Sequence, residues 1–392
     1  MKQRYSLNPV LSLSILALGL SFAADAYASG LQPVPLFTFS CQGQSCPQGT
    51  GPQALIQASD GNFYGATVGG GSNSAGTIFK LTPSGEFTLL FSFNGTNGVK
   101  PGFSLVEAKN GTLWGATFLG GQFGRGDVFT INEDGTGFAV VHSFPASGPE
   151  FFFNVSLIAG KDGNIYGSSP GGGNNLCQGY GCGTIFRINP ETNAFKTIHI
   201  LNGKSDGGNP SGLIQASDGS FYGVATGYES SSLFRVSPSG TYKIMRRFPS
   251  GDYAYVDGSQ AGGGGVIQAS TGKLFGVLAG AGATPHLYEM ALDGSGFQVF
   301  PGISILQSSV QLSTLLQATD GTLWLTSYGA PQGDNGSIVQ LSPQDGLLLQ
   351  NIPFDGADGS RPAAALIEGV DGRLYSTTFF DNVFSLDLGH PR

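Results

Sequence analysis

Leu55-Ile56-Gln57-Ala58-Ser59-Asp60-Gly61-Asn62-Phe63-Tyr64-Gly65 is the stretch that decides the fold, because the chain writes it out seven times. Its glycine returns as Gly111, Gly163, Gly219, Gly272, Gly321 and Gly372, at intervals of 50, 52, 56, 53, 49 and 51 residues. Asp60, Asn110, Asp162, Asp218, Thr271, Asp320 and Asp371 stand just before these glycines. Asp-Gly and Asn-Gly tolerate positive φ, so each is expected to make a two-residue type I′ hairpin between two strands. Three residues past each glycine comes an aromatic: Tyr64, Trp114, Tyr166, Tyr222, Phe275, Trp324 and Tyr375. The residue before each aromatic is also apolar. Adjacent residues of a strand point to opposite faces, so this strand is buried on both sides. Sheets sandwiched between other sheets require that pattern.

A third strand follows, as in Thr77-Ile78-Phe79, Asp127-Val128-Phe129 and Thr184-Ile185-Phe186. A fourth reads Phe87-Thr88-Leu89-Leu90-Phe91 and then Phe138-Ala139-Val140-Val141-His142. The seventh copy stops at Leu386-Asp387-Leu388, without a fourth strand. Leu36-Phe37-Thr38-Phe39 matches Leu90-Phe91-Ser92-Phe93 and precedes the first full copy. In a ring, one terminus completes the blade that the other begins, and edges left open in a stack are paired. The expected architecture is all-β, a seven-bladed β-propeller of four-stranded antiparallel blades. Residues 34–40 supply the closing strand. The blade repeats fall at about 51–93, 98–144, 149–201, 208–248, 258–301, 309–354 and 358–388.

The N-terminus carries Lys2 and Arg4, an apolar run from Leu11 to Ala24, and Ala26-Tyr27-Ala28-Ser29. Those are the parts of a secretory signal peptide, residues 1–28, with cleavage expected after Ala28, Ala26 being the alternative, and a single domain over 29–392. No later stretch approaches the ~20 apolar residues of a membrane helix. Gly makes up 64 of 392 residues and charged residues 11%, which reads as turn-rich all-β structure. The net charge of −8, with only 18 Lys and Arg scattered along the chain, argues against nucleic acid and against an anionic membrane surface. A soluble monomer is expected, extracellular or periplasmic, with no integral membrane segment and no cofactor.

Cys41 and Cys46, and Cys177 and Cys182, repeat one spacing. In an exported chain such pairs read as local disulfides, and no His lies close enough to favour zinc. A loop this short is worth only roughly 2 kcal/mol, so the bridges stiffen loops rather than hold the fold.

The repeated pattern G-x-x-P, L-I-x-A-x-D-G-x-L/F-Y-G-x-T, G-T-I-F-x-L-x-P-x-G and F-x-x-L-x-x-F resembles the bacterial GloVer tandem repeat of exported "choice-of-anchor" proteins. The resemblance covers residues 36–388 and is clearest in the first three repeats. It implies an extracytoplasmic propeller and supplies no catalytic residues. Some relatives carry a C-terminal anchoring tail. This chain ends at Gly389-His390-Pro391-Arg392, so release in soluble form is expected.

With the first strand innermost, the long loops from second to third strand share one face with the blade-to-blade links and all four cysteines. The spacing of the second- and third-strand aromatics is 15 residues in repeat one, 20 in repeat three and 9 in repeat seven, which predicts a lopsided mouth. Pre-ordered loops favour binding. Candidate ligand contacts on this face are Lys100, Arg125, Asp127, Glu150, Tyr180, Asp206, Tyr228, Asp252, Tyr253, Asp358 and Arg361. Aromatics beside Asp and Arg suit carbohydrate; singly, each also reads as a solvated loop residue. The inner strand repeats an amide or acid at Gln57, Glu107, Gln215, Gln268, Gln317 and Glu368. Hydrogen bonding between blades accounts for such a channel ring. A sharper alternative pairs Glu107 with Glu368 as glycosidase carboxylates.

Other chemistry finds no support. His142, His199, His286 and His390 lack metal spacing, although the first two hold equivalent outer-strand positions. Gly167-Ser168-Ser169-Pro170-Gly171 matches a nucleophile elbow only formally, with no helix after it. Thr271-Gly272-Lys273 is a hairpin turn without the flanks of a phosphate loop. The expected function is therefore a non-catalytic binding or scaffold propeller engaging a glycan or protein partner through its loop-rich face. A carbohydrate-active lyase or glycosidase and a structural envelope component stand as alternatives, since one fold carries many functions.

Overall fold

The computed structural model describes residues 31–392 apart from 44, 146–154, 175, 178–180, 227–229, 250–264, 279–283, 304–311, 330–334, 358, 380–381 and 390–392. The expected signal peptide thus lies outside the described residues. Seven four-stranded antiparallel sheets form a ring, a seven-bladed β-propeller with no helix among the described residues. Blade 1 comprises Thr50–Gln57, Phe63–Gly69, Thr77–Leu81 and Phe87–Ser92, and its sheet keeps that order. In its second strand Phe63 and Tyr64 are both fully buried, one on each face, and Leu113 and Trp114 repeat this in blade 2. Each core cluster joins two neighbouring blades: Trp114 and Val128 of blade 2 meet Val155, Ile165 and Phe186 of blade 3.

The sheet of blade 7 has four strands because Val34–Thr38 pairs antiparallel with Asn382–Leu386. Blade 7 also touches blade 1 directly. Phe63 meets Tyr375 at 4.4 Å between ring centres, and the Val370 N–H donates to Gln57 Oε1 at 2.9 Å. The Thr377 hydroxyl donates to the Pro52 carbonyl at 3.0 Å.

The hairpins differ from the expected type I′ turns. In blade 1 the Gly61 N–H donates to Ala58 O and the Ala58 N–H donates to Asn62 O, both at 2.9 Å. Of the loop residues Ser59, Asp60 and Gly61, only the glycine has positive φ, +82°. This is a three-residue loop, an i→i+3 turn closed by a glycine bulge, and all seven repeats share its hydrogen bonds. The acid keeps an ordinary φ because its value lies in its side chain. Asp60 accepts the Asn62 N–H on one oxygen and the Tyr64 hydroxyl on the other, both at 2.9 Å.

That side chain explains why turn and aromatic vary together. Tyr166, Tyr222 and Tyr375 donate to Asp162, Asp218 and Asp371 in the same way. The Trp blades need a relay: Trp114 Nε1 donates to the Thr112 hydroxyl, which donates to Asn110, and Trp324, Thr322 and Asp320 repeat it. Blade 5 has Phe275, which offers no donor, and its turn carries Thr271 instead of an acid. Burial opposes ionisation of Asp60, but hydrogen bonds from Asn62, Lys80 and Tyr64 outweigh it and draw its pKa down to about 2.

The outer strands carry a second repeated device. Phe37 stacks on Phe87, Phe91 on Phe138, His142 on Phe195 and His199 on Tyr242, with ring centres 3.7–4.6 Å apart and planes within 11°. Arg246 continues the series, its guanidinium 3.4 Å from the centre of the Phe297 ring. Each stack joins the outer strand of one blade to the next blade. Any flat side chain serves.

Candidate functional site

The His142 stack borders a cavity of about 440 Å³ at the outer rim between blades 2 and 3. Blade 2 contributes His142, Phe144 and Pro145. The blade 3 outer strand, Ala194–Ile200, contributes Phe195, Thr197 and Ile200, and its third strand contributes Thr184. The end of the second strand contributes Ser169, and the loop after it the run from Gly171 to Asn174. The size falls within the ~300–1,000 Å³ of small-ligand pockets.

The loop is built to hold its shape. Asn174 Nδ2 donates to the Leu201 carbonyl at 2.6 Å, tying the loop to the outer strand, and its oxygen accepts the Leu176 N–H at 3.0 Å. Gly181 packs so closely on Gly172 that a Cβ there would lie 2.2 Å from the Gly172 oxygen. The Cys177–Cys182 disulfide closes the loop, and Cys177 Sγ lies against Gly203 in the link to blade 4. Cys41 and Cys46 are likewise bonded.

His142 has no hydrogen-bond partner among the described residues. Burial holds its imidazole below the ordinary histidine pKa, so the ring is neutral at pH 7, with one nitrogen a donor and the other an acceptor. The equivalent His199 is engaged: its Nε2 lies 3.1 Å from Asp206 Oδ2, and the other Asp206 oxygen accepts the Asn202 N–H.

The residues singled out in the sequence do not gather at this cavity. Glu150, Tyr180, Tyr228, Asp252, Tyr253 and Asp358 lie outside the described residues. Asp206 holds His199. Lys100 and Arg361 stand just before Pro101 and Pro362 with φ of 55° and 56°, and their N–H groups donate to Ala75 O and Asn335 O of the preceding blade. Their backbone conformation therefore serves a blade junction, where Gly51-Pro52 and Asn209-Pro210 show the same positive φ. The Arg361 guanidinium lies 5.6 Å over the Tyr328 ring. Arg125 sits in the blade 2 loop, bridged through its backbone to Gly120.

Asp127 is fully buried, its carboxylate pressed against Gly121, where an added Cβ would meet both oxygens at 2.1 Å. Neither oxygen has a hydrogen bond of normal geometry among the described residues. Desolvation raises its pKa, with the Ser143 hydroxyl opposing it. The folded state thus holds a proton that the unfolded chain releases near pH 4, and stability falls as pH rises through that window. Thr77 and Thr184 occupy the same position in blades 1 and 3. Asp127→Thr is accordingly expected to stabilise the protein at pH 7 by about 1–3 kcal/mol, and by less at pH 4 and below. Melting curves at both pH values check this; a lower melting temperature at pH 7 would mean the carboxylate is favourably engaged.

The channel ring joins blades. Gln57, Glu107, Gln215, Gln268, Gln317 and Glu368 each accept a turn N–H from the preceding blade, those of Val370, Ser59, Lys161, Ser217, Ser270 and Thr319, at 2.6–2.9 Å. Glu107 also takes the Ser59 hydroxyl and Glu368 that of Thr319, so both oxygens of each carboxylate already hold a donor. Repeat three has Ala159 at this position, and there Lys109 reaches across to the Lys161 carbonyl at 2.6 Å. Among the described residues no group of three or more His, Cys, Asp or Glu is placed to hold a metal ion, and no helix is long and apolar enough to cross a membrane.

Seven sheets in a ring, loops tied by disulfides and a rim cavity define a repeat-built β-propeller. The chain belongs to the Gloeobacter/Verrucomicrobia repeat family, whose model matches residues 51–284. No curated protein matches it in sequence. Among solved structures it is similar to a virginiamycin B lyase from Staphylococcus aureus crystallised with quinupristin, at 16% identity and TM-score 0.63, covering 91% of this chain and 99% of that one. It is similar also to a periplasmic gluconolactonase of Pseudomonas aeruginosa, at 17% identity and TM-score 0.54, covering 80% and 87%. An oligogalacturonate lyase in complex with manganese gives 13% identity and TM-score 0.55, covering 85% and 87%. Identities this low speak to the fold alone.

Proposed function

We propose that the protein is a carbohydrate-binding propeller whose cavity between blades 2 and 3 takes one sugar unit of a glycan. His142 carries this reading. Stacking on the next blade needs only a flat side chain, and Phe37 and Phe91 meet that need in the equivalent positions. An imidazole there adds a donor and an acceptor that the fold does not use. Phe144, Phe195 and Ile200 give apolar walls, and Thr184 and Thr197 bring hydroxyls, a neutral amphipathic lining that suits a sugar ring. The disulfide-tied loop lowers the ordering cost of binding. Export belongs to the same reading, supported by the two disulfides and the N-terminal segment.

The test is His142→Phe, which keeps the stack and removes the nitrogens. In a thermal-shift screen against bacterial and plant glycans the wild type is expected to be stabilised by at least one of them. The variant should melt with the wild type in buffer and bind that glycan about tenfold more weakly, the worth of one well-made hydrogen bond. Undiminished binding by the variant would remove the cavity from the proposal.

A further inference from the structure

The seven outermost strands are chemically unequal. Val34–Thr38, Phe87–Ser92, Ala139–Ser143, Gln298–Gly302 and Leu348–Pro353 contain no Lys, Arg, Asp or Glu. The outer strands of blades 3 and 4, Ala194–Ile200 and Tyr242–Pro249, contain Lys196, Lys243, Arg246 and Arg247 and no acid. All four cations are exposed. None forms a salt bridge among the described residues, whereas Lys80, Arg235, Lys273 and Arg373 do. Charge on an edge strand ordinarily guards against edge-to-edge pairing. Here five edges go without it, so edge protection does not explain four cations on two neighbouring blades of a chain with net charge −8.

Two of the cations are held in place. The Arg246 guanidinium lies over the Phe297 ring, 3.4 Å from its centre, and Arg247 donates to the Ser205 carbonyl in the link between blades 3 and 4. Lys243 stands opposite Arg235 across the strand pair, and of these two only Arg235 is neutralised, by Asp218 at 3.0 Å. The strand that carries Lys196 also carries Thr197 and Ile200, which line the cavity. Successive strand residues point to opposite faces, so this strand has the cavity on one side and begins the cationic stretch on the other.

We infer that the outer edges of blades 3 and 4 form a docking surface for an acidic polysaccharide, which runs from the neutral sugar cavity across the cations of the blade 4 strand. This rests on the reading of the cavity as a sugar site and adds the charge of the polymer. A linear polyanion matches a narrow strip of spaced cations along a curved rim. The sequence presents these residues as part of a sparse scatter; folding sets them on adjacent edges.

The experiment compares polygalacturonate with its fully methyl-esterified form, the same backbone without charge, by calorimetry with the mature protein. Polygalacturonate is expected to bind about tenfold or more tighter at low salt, and to lose that advantage in 0.5 M NaCl. The combined variant K196Q/K243Q/R246Q/R247Q should retain the binding of the esterified polymer and lose the preference, with melting as the control for folding. A single Lys243→Gln, whose side chain is exposed and makes no salt bridge among the described residues, gives a smaller loss if the combined variant melts early. Equal binding of the two polymers, weakened about tenfold by His142→Phe, would overturn the acidic preference and leave the sugar cavity standing. Binding to phosphatidylglycerol vesicles in place of either polymer would overturn it in favour of a membrane. No binding to any of these probes would overturn it together with the sugar reading.

Discussion

Deletion of residues 34–40 is expected to lower the melting temperature by about 10 °C or more. The segment supplies the fourth strand of blade 7, paired from Val34 opposite Ser385 to Thr38 opposite Asn382. It also supplies Phe39, buried against Phe79 and Phe87, and Phe37, stacked on Phe87 at 4.6 Å. Losing one buried aromatic costs about 3–5 kcal/mol, and the ladder hydrogen bonds add to that. At ~2–4 °C per kcal/mol for a large domain, a shift of this size follows. Asn382–Leu386 would also become an open edge, so concentration-dependent association should accompany the loss. Scanning calorimetry and light scattering read both effects. Near-wild-type melting would show that the strand is dispensable and that blade 7 holds to blade 1 without it.

Trp114→Ala is the second large effect, about 3–5 kcal/mol by chemical denaturation. The side chain is 1% exposed and lies in the cluster shared by blades 2 and 3. Its removal would leave a cavity between two sheets whose backbones are fixed by other contacts, so little collapse can compensate. It also leaves the Thr112 hydroxyl without the indole donor. Thr112→Val separates the two contributions, because it breaks the relay and keeps the ring; its cost should stay near 1 kcal/mol. A loss below about 1 kcal/mol for the alanine variant would place Trp114 outside the folding core.

The fold was legible because its determinants recur. A glycine and an aromatic at fixed offsets, seven times over, specify the blade without any long-range information. The turn type was misread because Asp-Gly suits two loop lengths, and only the backbone hydrogen bonds distinguish them. Asp60, Asn110 and Thr271 did carry a further signal, visible once each is set beside Tyr64, Trp114 or Phe275 in its own repeat. The site was less legible. His142 sits four residues after Phe138 just as Phe91 follows Phe87, so the exchange of Phe for His was on view. Its meaning depends on which residues of the next blade face it, and those lie 27 to 58 positions on, from Ser169 to Ile200. Polar loop residues such as Lys100 and Arg361 attracted attention by residue type, whereas their structural role comes from φ. Asp127 reads as a ligand contact on the loop-rich face by its residue type; folding buries it beneath Gly121.

The ring of inner-strand acceptors decides where the chain can be cut. At most joins the acceptor lies 47–54 residues from its donor, and at the join of blade 7 to blade 1 it lies 313 away. The bond is otherwise the same, an N–H from a hairpin met by a side-chain oxygen. For a flexible chain that difference in separation costs only roughly 1.7 kcal/mol. The place where the polypeptide begins and ends is thus a property of its threading, and the joins themselves do not record it. The molecule is in this respect permutable: linking its ends and opening it at another blade boundary would leave the set of joins intact.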